Sequence, residues 1–391
     1  MEFIEDPQSY NPMENPQVIQ DDHTYAVVAG GTRVPCPPEG EEFAILSYTW
    51  RDYVPQPPQD ETPGSPVEQK MRDMCVRAQL TGRKYVQLGT CFKFEGETVM
   101  PQDDMDILEY SWYRKAAVCL VYLRDVEYTE DENEILFWLP TDRWFTEPWA
   151  LQELLASKQI YFYAQDGRCF QTTTKSALLH WLPQWTKIGR GFLKHPDSIR
   201  HACIATSLSW AATRNCTTQE VVHSLKGIFG VRMTRRLNET MTDAFRRLQI
   251  KLIQKFPQDF SIYAWKVHNL TVPRIGDTLL AASPVNFSSC SQIQLHHGLW
   301  PSRVHEKGDE HVIMELPFIA VNDGTFLLCL NCYQNDPVNS CLSIRVRLMP
   351  ATFHYERVDV TKIDQWIGNS NLFTVLVESS GRVSKLCYLM G

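Results

Sequence analysis

The chain lacks the sequence features of several large protein classes. Its 391 residues include no run of Lys and Arg, and 38 basic against 46 acidic residues give a net charge of −8. The attraction of a basic patch to phosphate backbones is therefore missing, which argues against nucleic acid as a partner. No stretch approaches the roughly 18 uninterrupted apolar residues of a membrane helix, and the acidic, proline-rich start has no apolar signal segment. We expect a cytoplasmic protein that is neither secreted nor bound to a membrane.

The motifs of common enzymes are missing as well. The chain has no HExxH, GxSxG, P-loop or GxGxxG sequence, so metalloprotease, serine hydrolase, kinase and Rossmann dehydrogenase functions lack support. The 12 cysteines are spread along the chain and most lie in apolar runs, which is typical of reduced core thiols. Cys329 and Cys332 have CxxC spacing, but no second pair follows at zinc-ribbon distance. We expect no metal site and no required cofactor.

An alternation of strand and helix signals is what the first half of the chain does contain. Short apolar runs with strand character lie at 43–49, 84–90, 117–123 and 159–164, and helical candidates lie at 66–80, 103–116 and 149–157. Runs of this kind suit a parallel sheet that is buried on both faces and connected by helical crossovers. Residues 41–170 are therefore predicted to form an open, doubly wound α/β domain that binds any ligand at the carboxyl ends of its strands.

The rest of the chain divides by composition into three further regions. Residues 1–40 are rich in proline and predict an extended N-terminal arm. Residues 171–268 have amphipathic patterns and few strand signals, which predicts a helical region. From 269 to 391, apolar strand runs alternate with Asn, Asp and Gly turns, which predicts a mainly antiparallel β domain.

Three stretches of the α/β region resemble the signature blocks of the fungal HET (heterokaryon incompatibility) domain. They are FAILSYTWRD at 43–52, WYRKAAVCLVYLRDV at 112–126 and DRWFTEPWALQELLASKQIYFY at 142–163. The resemblance continues through the helical region, so that it covers roughly residues 40–290. It implies a flavodoxin-like sheet similar to that of TIR domains. It also implies fungal self/nonself recognition or cell-death signalling, through self-association or a protein partner.

The same resemblance implies a catalytic residue, Glu153. Several TIR domains cleave NAD at its nicotinamide glycosidic bond with one glutamate in a Trp-x-Leu-x-Glu-Leu segment, and residues 149–154 have this form. A positioned carboxylate can stabilise the oxocarbenium-like state of such a cleavage. The alternative is that Glu153 caps or salt-bridges a solvent-facing first turn of its helix, where the helix dipole favours a carboxylate.

Further residues are candidates for substrate binding. They are Tyr48, Thr49, Trp50, Gln87, Cys91, Arg143 and Trp149. The first three end a strand, where an aromatic ring can stack on a ligand and a hydroxyl can bind a phosphate or carbonyl, although a Trp beside a strand is also typical of a core. Arg143 and Trp149 precede the helix of Glu153, where a guanidinium and helix N-terminal amides can receive a phosphate or carboxylate. Surface ion pairing is the alternative for the arginine.

Departures from the family pattern keep two other functions open. Arg51 stands where the family has Gly, Glu147-Pro148 replaces Arg-Gly, and segment 85–92 lacks two expected aspartates. Neutral residues in place of charged ones suit a HET-like scaffold repurposed as a cyclase, isomerase or hydrolase that acts on an apolar small molecule. The other hypothesis is a catalytically inactive interaction protein, with an exposed apolar patch in place of a deep pocket.

Overall fold

A computed structural model of the chain describes residues 25–27, 33–34, 41–48, 81–87, 102–267, 279–296, 304–308, 311–334, 341–349, 354–358, 363–365, 371–378 and 383–385. Three predicted site residues, Thr49, Trp50 and Cys91, lie outside the described residues, as does the helix predicted at 66–80. The chain divides into two compact units. The first comprises Met1–Ser198 with Ser224–Arg235, and the second comprises Ile199–His223 with Arg236–Gly391.

The first unit is built on a seven-stranded mixed sheet. Its strands are β1 (Tyr25–Val27), β2 (Arg33–Val34), β3 (Phe43–Tyr48), β4 (Tyr85–Gln87), β5 (Val118–Tyr122), β6 (Ile160–Tyr163) and β7 (Cys169–Thr174). They lie in the order β2-β1-β4-β3-β5-β6-β7, and the pairings among β4, β3, β5 and β6 are parallel whereas the outer pairings are antiparallel. The four parallel strands are the four predicted runs, which confirms the α/β class of this region.

The order of the parallel strands is that of flavodoxin-like sheets. Across the described sheet, the four parallel strands lie side by side in the order β4-β3-β5-β6. The second of them in the sequence therefore lies at one edge of this group, followed by the first, third and fourth. In a flavodoxin-like doubly wound sheet of this order, the first and third strands flank the topological switch point. Those strands are β3 and β5 here, so the ligand crevice is expected outside the carboxyl ends of these two strands.

The described part of the first unit also contains helices. They are α1 (Gln102–Lys115), α2 (Glu132–Trp138), α3 (Pro148–Ala156), α4 (Leu182–Thr186) and α5 (Arg190–Lys194). Helices α1 and α3 fall within one residue of the helices predicted at 103–116 and 149–157. One face of the sheet carries an apolar cluster that includes Leu46, Val86 and Leu120. Because side chains alternate along a strand, Ser47 and Gln87 lie on the opposite face.

The second unit combines helices with antiparallel strands. Its helices are α6 (Ile204–Ala211), the first residues of α7 (Glu220–Phe229), and α8 (Met241–Lys255). Its strands are β8 (Ile293–Leu295), β9 (Val304–Lys307), β10 (His311–Ala320), β11 (Phe326–Cys329), β12 (Cys332–Gln334), β13 (Leu342–Met349), β14 (His354–Arg357), β15 (Asp364–Gln365), β16 (Asn371–Glu378) and β17 (Val383–Lys385). All their pairings are antiparallel, as predicted. Within the described ranges, no helix has the length and apolar character needed to cross a bilayer.

Six of these strands form a closed ring of pairings. The order is β11-β10-β16-β17-β14-β13, and β13 pairs in turn with β11. Closure removes the unpaired strand edges that an open sheet would expose. We refer to this arrangement as the six-strand ring, and to the pairing of β11 with β13 as its seam.

Candidate functional site

Helix α3 carries a single charged residue, Glu153, in the sequence PWALQELLA. The helix begins at Pro148, whose fixed φ angle suits a first turn and whose missing N–H is not needed there. Seven of its nine residues are buried. Trp149 and Glu153 are the two that are half-buried, and their i, i+4 spacing places them on one face of the helix. A carboxylate in such surroundings is costly unless donors compensate for its lost hydration.

Three side chains from outside this helix supply those donors. Trp144 Nε1 lies 3.1 Å from Oε2 of Glu153, and the Tyr113 hydroxyl lies 3.1 Å from Oε1. The Ser47 hydroxyl also donates to Oε2, and its oxygen accepts from Trp144 Nε1 at 2.7 Å. Hydrogen bonds to an ionised group are among the strongest in proteins. The carboxylate is therefore held in one position while part of its surface stays open to solvent.

The network lies at the carboxyl end of strand β3. Ser47 is the last residue but one of β3, and it is in register with Val121 of the neighbouring parallel strand β5. The Tyr113 hydroxyl also lies 3.0 Å from the carbonyl oxygen of Leu46, so helix α1 is tied to the same strand end. Glu153 is thus placed at the carboxyl end of β3, beside the parallel strand β5.

A buried aspartate holds Trp144 in place. The carboxylate of Asp142 accepts the backbone N–H of Trp144 and that of Asp125, both at 2.8 Å. Burial raises the pKa of Asp142, and these backbone hydrogen bonds oppose the rise. The indole of Trp144 packs edge-on against Phe145 and Phe162, with ring centroids 5.0 Å and 5.7 Å away. Aromatic packing and the Asp142 hydrogen bond together direct Nε1 towards Ser47 and Glu153.

Two predicted site residues adjoin these elements. Trp149 shares a helix face with Glu153, and the guanidinium of Arg235 lies 5.8 Å from its ring centroid, within cation–π range. Gln87 is the last residue of β4 and is 2% exposed, and its Oε1 has no hydrogen-bond partner among the described residues. Of Tyr48, the final residue of β3, the structure describes the backbone alone.

The structure places Arg143 in a surface ion pair. Its Nε lies 2.9 Å from Oδ2 of Asp125, and both side chains are more than one-third exposed. Surface ion pairing is the alternative that the sequence left open for this arginine.

The alternative that Glu153 lies in the first turn of its helix is wrong. Glu153 is the sixth residue of α3, and Glu147 occupies the N-cap position. Within the described part of the chain, no cluster of three or more His, Cys, Asp or Glu side chains is arranged to hold a metal ion.

A comparison with known proteins finds a relative of this chain. Vegetative incompatibility protein HET-E-1 of Podospora anserina is 28% identical to it over 220 residues, which make up 54% of this chain. This similarity relates the chain to heterokaryon incompatibility proteins. The matched part spans only 16% of HET-E-1. No family model matches the chain, and no solved structure matches it.

The three HET-like sequence blocks meet at Glu153. Ser47 comes from the first block, Tyr113 from the second, and Trp144 with Glu153 from the third. The hydrogen bonds described above therefore connect all three blocks through one carboxylate. Sequence reasoning did not assign Ser47 or Tyr113 to the site, and it considered Trp144 only as part of a basic-aromatic group with Arg143 and Trp149. Their positions within the blocks were the available signal, because hydroxyl and indole donors interrupt otherwise apolar segments there.

Cys119 lies on strand β5, next to the strand that carries Ser47. It is fully buried, and its register with Ile45 places it on the same sheet face as Ser47. Burial raises the pKa of the Cys119 thiol well above its usual value, and the negative charge of Glu153 raises it further. The thiol therefore stays protonated at neutral pH, and it is not suited to act as a nucleophile.

Replacing Tyr113 by phenylalanine should destabilise the first unit by about 1 kcal/mol. The carbonyl oxygen of Leu46 and Oε1 of Glu153 would both lose the Tyr113 hydroxyl as a hydrogen-bond partner. The change in the free energy of unfolding can be measured by urea denaturation. Tyr161→Phe is the matched control, since Tyr161 packs in the apolar cluster on the other face of the sheet. An equal loss in both variants would contradict a specific role of the Tyr113 hydroxyl.

A buried lysine lies at the end of helix α3. Lys175 is 1% exposed, and its ammonium donates to the carbonyl oxygens of Leu154 and Ser157, both at 2.6 Å. These oxygens belong to the last turn and the C-cap of the helix, where a cation is favourable. Burial nevertheless lowers the pKa of Lys175 from 10.5 to about 8.

The lowered pKa of Lys175 predicts a rise in stability with pH. Below about pH 8 the group is protonated in both states, and between pH 8 and 10.5 only the unfolded state keeps the proton. The unfolding free energy of the wild type, relative to Lys175→Met, should therefore increase by up to about 3 kcal/mol over this range. Urea denaturation at several pH values tests this. Lys158→Met, at an exposed position, should leave the pH dependence of the wild type unchanged.

Proposed function

We propose that the chain is an incompatibility protein of fungal self/nonself recognition or cell-death signalling, and that its first unit is a TIR-like domain that cleaves NAD-type nucleotides. The observation that carries this proposal is the half-buried Glu153 carboxylate at the carboxyl end of β3, bound by three donors. The similarity to HET-E-1 supports the biological role. The strand order β4-β3-β5-β6 supports the doubly wound sheet.

The chemistry assigned to Glu153 follows from the charge that develops when nicotinamide leaves. Breaking the glycosidic bond leaves positive charge on the ribose, and an ionised carboxylate at a fixed position stabilises that charge in the transition state. Hydrogen bonds from Ser47, Tyr113 and Trp144 hold the carboxylate in one orientation. The reaction then needs no cofactor, since NAD is the substrate.

Substrate binding in this proposal uses the open side of helix α3. Trp149 lies on the same helix face as Glu153, one turn towards the helix start, and its ring can stack on a nicotinamide or adenine ring. Gln87 offers a buried amide on the sheet face that carries Ser47. An amide there suits the carboxamide or ribose hydroxyls of the nucleotide.

The test is a product analysis of NAD incubated with the purified chain over a range of protein concentrations. Glycosidic cleavage releases nicotinamide and ADP-ribose, and release that rises steeply with protein concentration would support action through self-association. Nicotinamide mononucleotide and AMP would instead place the cut at the pyrophosphate and contradict the role of Glu153. Absence of any product at every concentration would reject NAD cleavage and favour the apolar-substrate enzyme or the inactive interaction protein.

A further inference from the structure

Two cysteine thiols face each other at the seam of the six-strand ring. The Sγ atoms of Cys329 and Cys341 lie 3.4 Å apart. Cys329 ends β11 and is opposite Ser343 of β13, and Cys341, two residues before Ser343, lies on the same face of the sheet. Cys329 is fully buried, whereas Cys341 is half-buried. A half-buried cysteine thus contacts a fully buried one.

The surroundings of Cys341 favour its thiolate. A hydrogen bond from the Cys329 thiol lowers the pKa of Cys341, as do the backbone N–H groups of Cys332 and Asn331, against the effect of burial. The same hydrogen bond raises the pKa of Cys329, so the shared proton stays on the buried sulfur. Asn331 has a left-handed backbone with φ of 51°. A turn of this kind points successive backbone amides at an anion.

We propose that Cys341 is a peroxide-reactive thiol that forms a reversible disulfide with Cys329. The Cys341 thiolate attacks hydrogen peroxide, the O–O bond breaks, and Cys341 becomes a sulfenic acid while hydroxide leaves. The Cys329 sulfur then attacks the Cys341 sulfur, and the sulfenic hydroxyl leaves with the Cys329 proton as water. Two thiols are oxidised and one peroxide is reduced to two waters, once the hydroxide is protonated by solvent. Thiol reductants reverse the step.

The disulfide would join β11 and β13 covalently at the pairing that closes the ring. Hydrogen bonds between the strands make this closure in the reduced protein. The proposal concerns the second unit alone and does not depend on catalysis by Glu153.

The first test compares two half-buried cysteines in the unmodified 391-residue chain. Cys216 is the internal control, because it also belongs to the second unit and burial raises its pKa to about 11. At neutral pH, iodoacetamide should alkylate Cys341 at least about tenfold faster than Cys216. Equal rates, or faster reaction at Cys216, would overturn the assignment of Cys341 as the reactive thiol.

The second test identifies the partner after brief treatment with hydrogen peroxide. Cleavage before aspartate separates a peptide that begins at Asp323 and holds Cys329 and Cys332 from one that begins at Asp336 and holds Cys341. Mass spectrometry should find these peptides joined in the wild type and in Cys332→Ser, and separate after reduction. In Cys329→Ser, dimedone should instead trap a sulfenic acid on Cys341. A cross-link that persists in Cys329→Ser, or a wild-type chain in which both peptides remain separate, would overturn the proposal.

Discussion

Nicotinamide release is expected to fall by about 10³-fold when Glu153 is replaced by glutamine, which corresponds to ~4 kcal/mol of transition-state stabilisation. The amide keeps the shape of the side chain but removes the negative charge that the developing ribose cation requires. Because the lost interaction forms in the transition state, kcat should fall while KM changes little. Rates of nicotinamide release by the wild type and the variant, measured by chromatography, provide the test.

The glutamine variant should still fold, because its amide can be accommodated by the same three partners. Trp144 Nε1 can only donate, so the amide oxygen should turn towards it, and the amide nitrogen should face Tyr113, whose hydroxyl can accept. Glu147→Gln is the matched control, since Glu147 caps the same helix without a side-chain capping bond. Activity that survives in Glu153→Gln, or is lost equally in Glu147→Gln, would exclude Glu153 as the catalytic residue.

Strand periodicity was sufficient to predict the parallel part of the sheet and the antiparallel strands of the second unit. It did not predict the order of the strands or the edge strand β7, Cys169–Thr174. Threonines make β7 polar, so no apolar run marks it, although β-branched side chains suit a strand. Strands β1 and β2 lie within the predicted N-terminal arm and pair at the other edge of the sheet. Edge pairing depends on contacts between distant segments, which local patterns do not record.

The candidate site was predicted only in part, for a similar reason. Glu153 was predicted because residues 149–154 have the Trp-x-Leu-x-Glu-Leu form of the catalytic segment in TIR domains. Its donors come from residues that are 9, 40 and 106 positions away in the sequence. Arg143, which is near Glu153 in the sequence, has its guanidinium paired with Asp125 at the surface. Spacing along the chain identifies residues that share one helix, whereas the donors of Glu153 meet it only through the sheet topology.

Truncating Trp144 to alanine should destabilise the first unit by about 3–5 kcal/mol, the range for large aromatic side chains removed from a core. The indole is 1% exposed and packs against Phe145 and Phe162, so its removal leaves a cavity beside β6. Hydrogen exchange of peptides from β3 and β5 would measure the loss in this unit separately from the second unit. Trp138→Ala is the control, because Trp138 is 51% exposed and its truncation should cost about 0.5 kcal/mol or less.

Trp144→Phe separates the two roles of this residue. Phenylalanine keeps most of the aromatic packing but cannot donate to Ser47 and Glu153, so it should cost only about 1–2 kcal/mol. Nicotinamide release should nevertheless fall in this variant, because the carboxylate loses one of the donors that hold its orientation. A phenylalanine variant as unstable as the alanine variant would show that stability depends on the hydrogen bonds of Nε1, and not on aromatic packing alone. Full activity in Trp144→Phe would show that Ser47 and Tyr113 suffice to position Glu153.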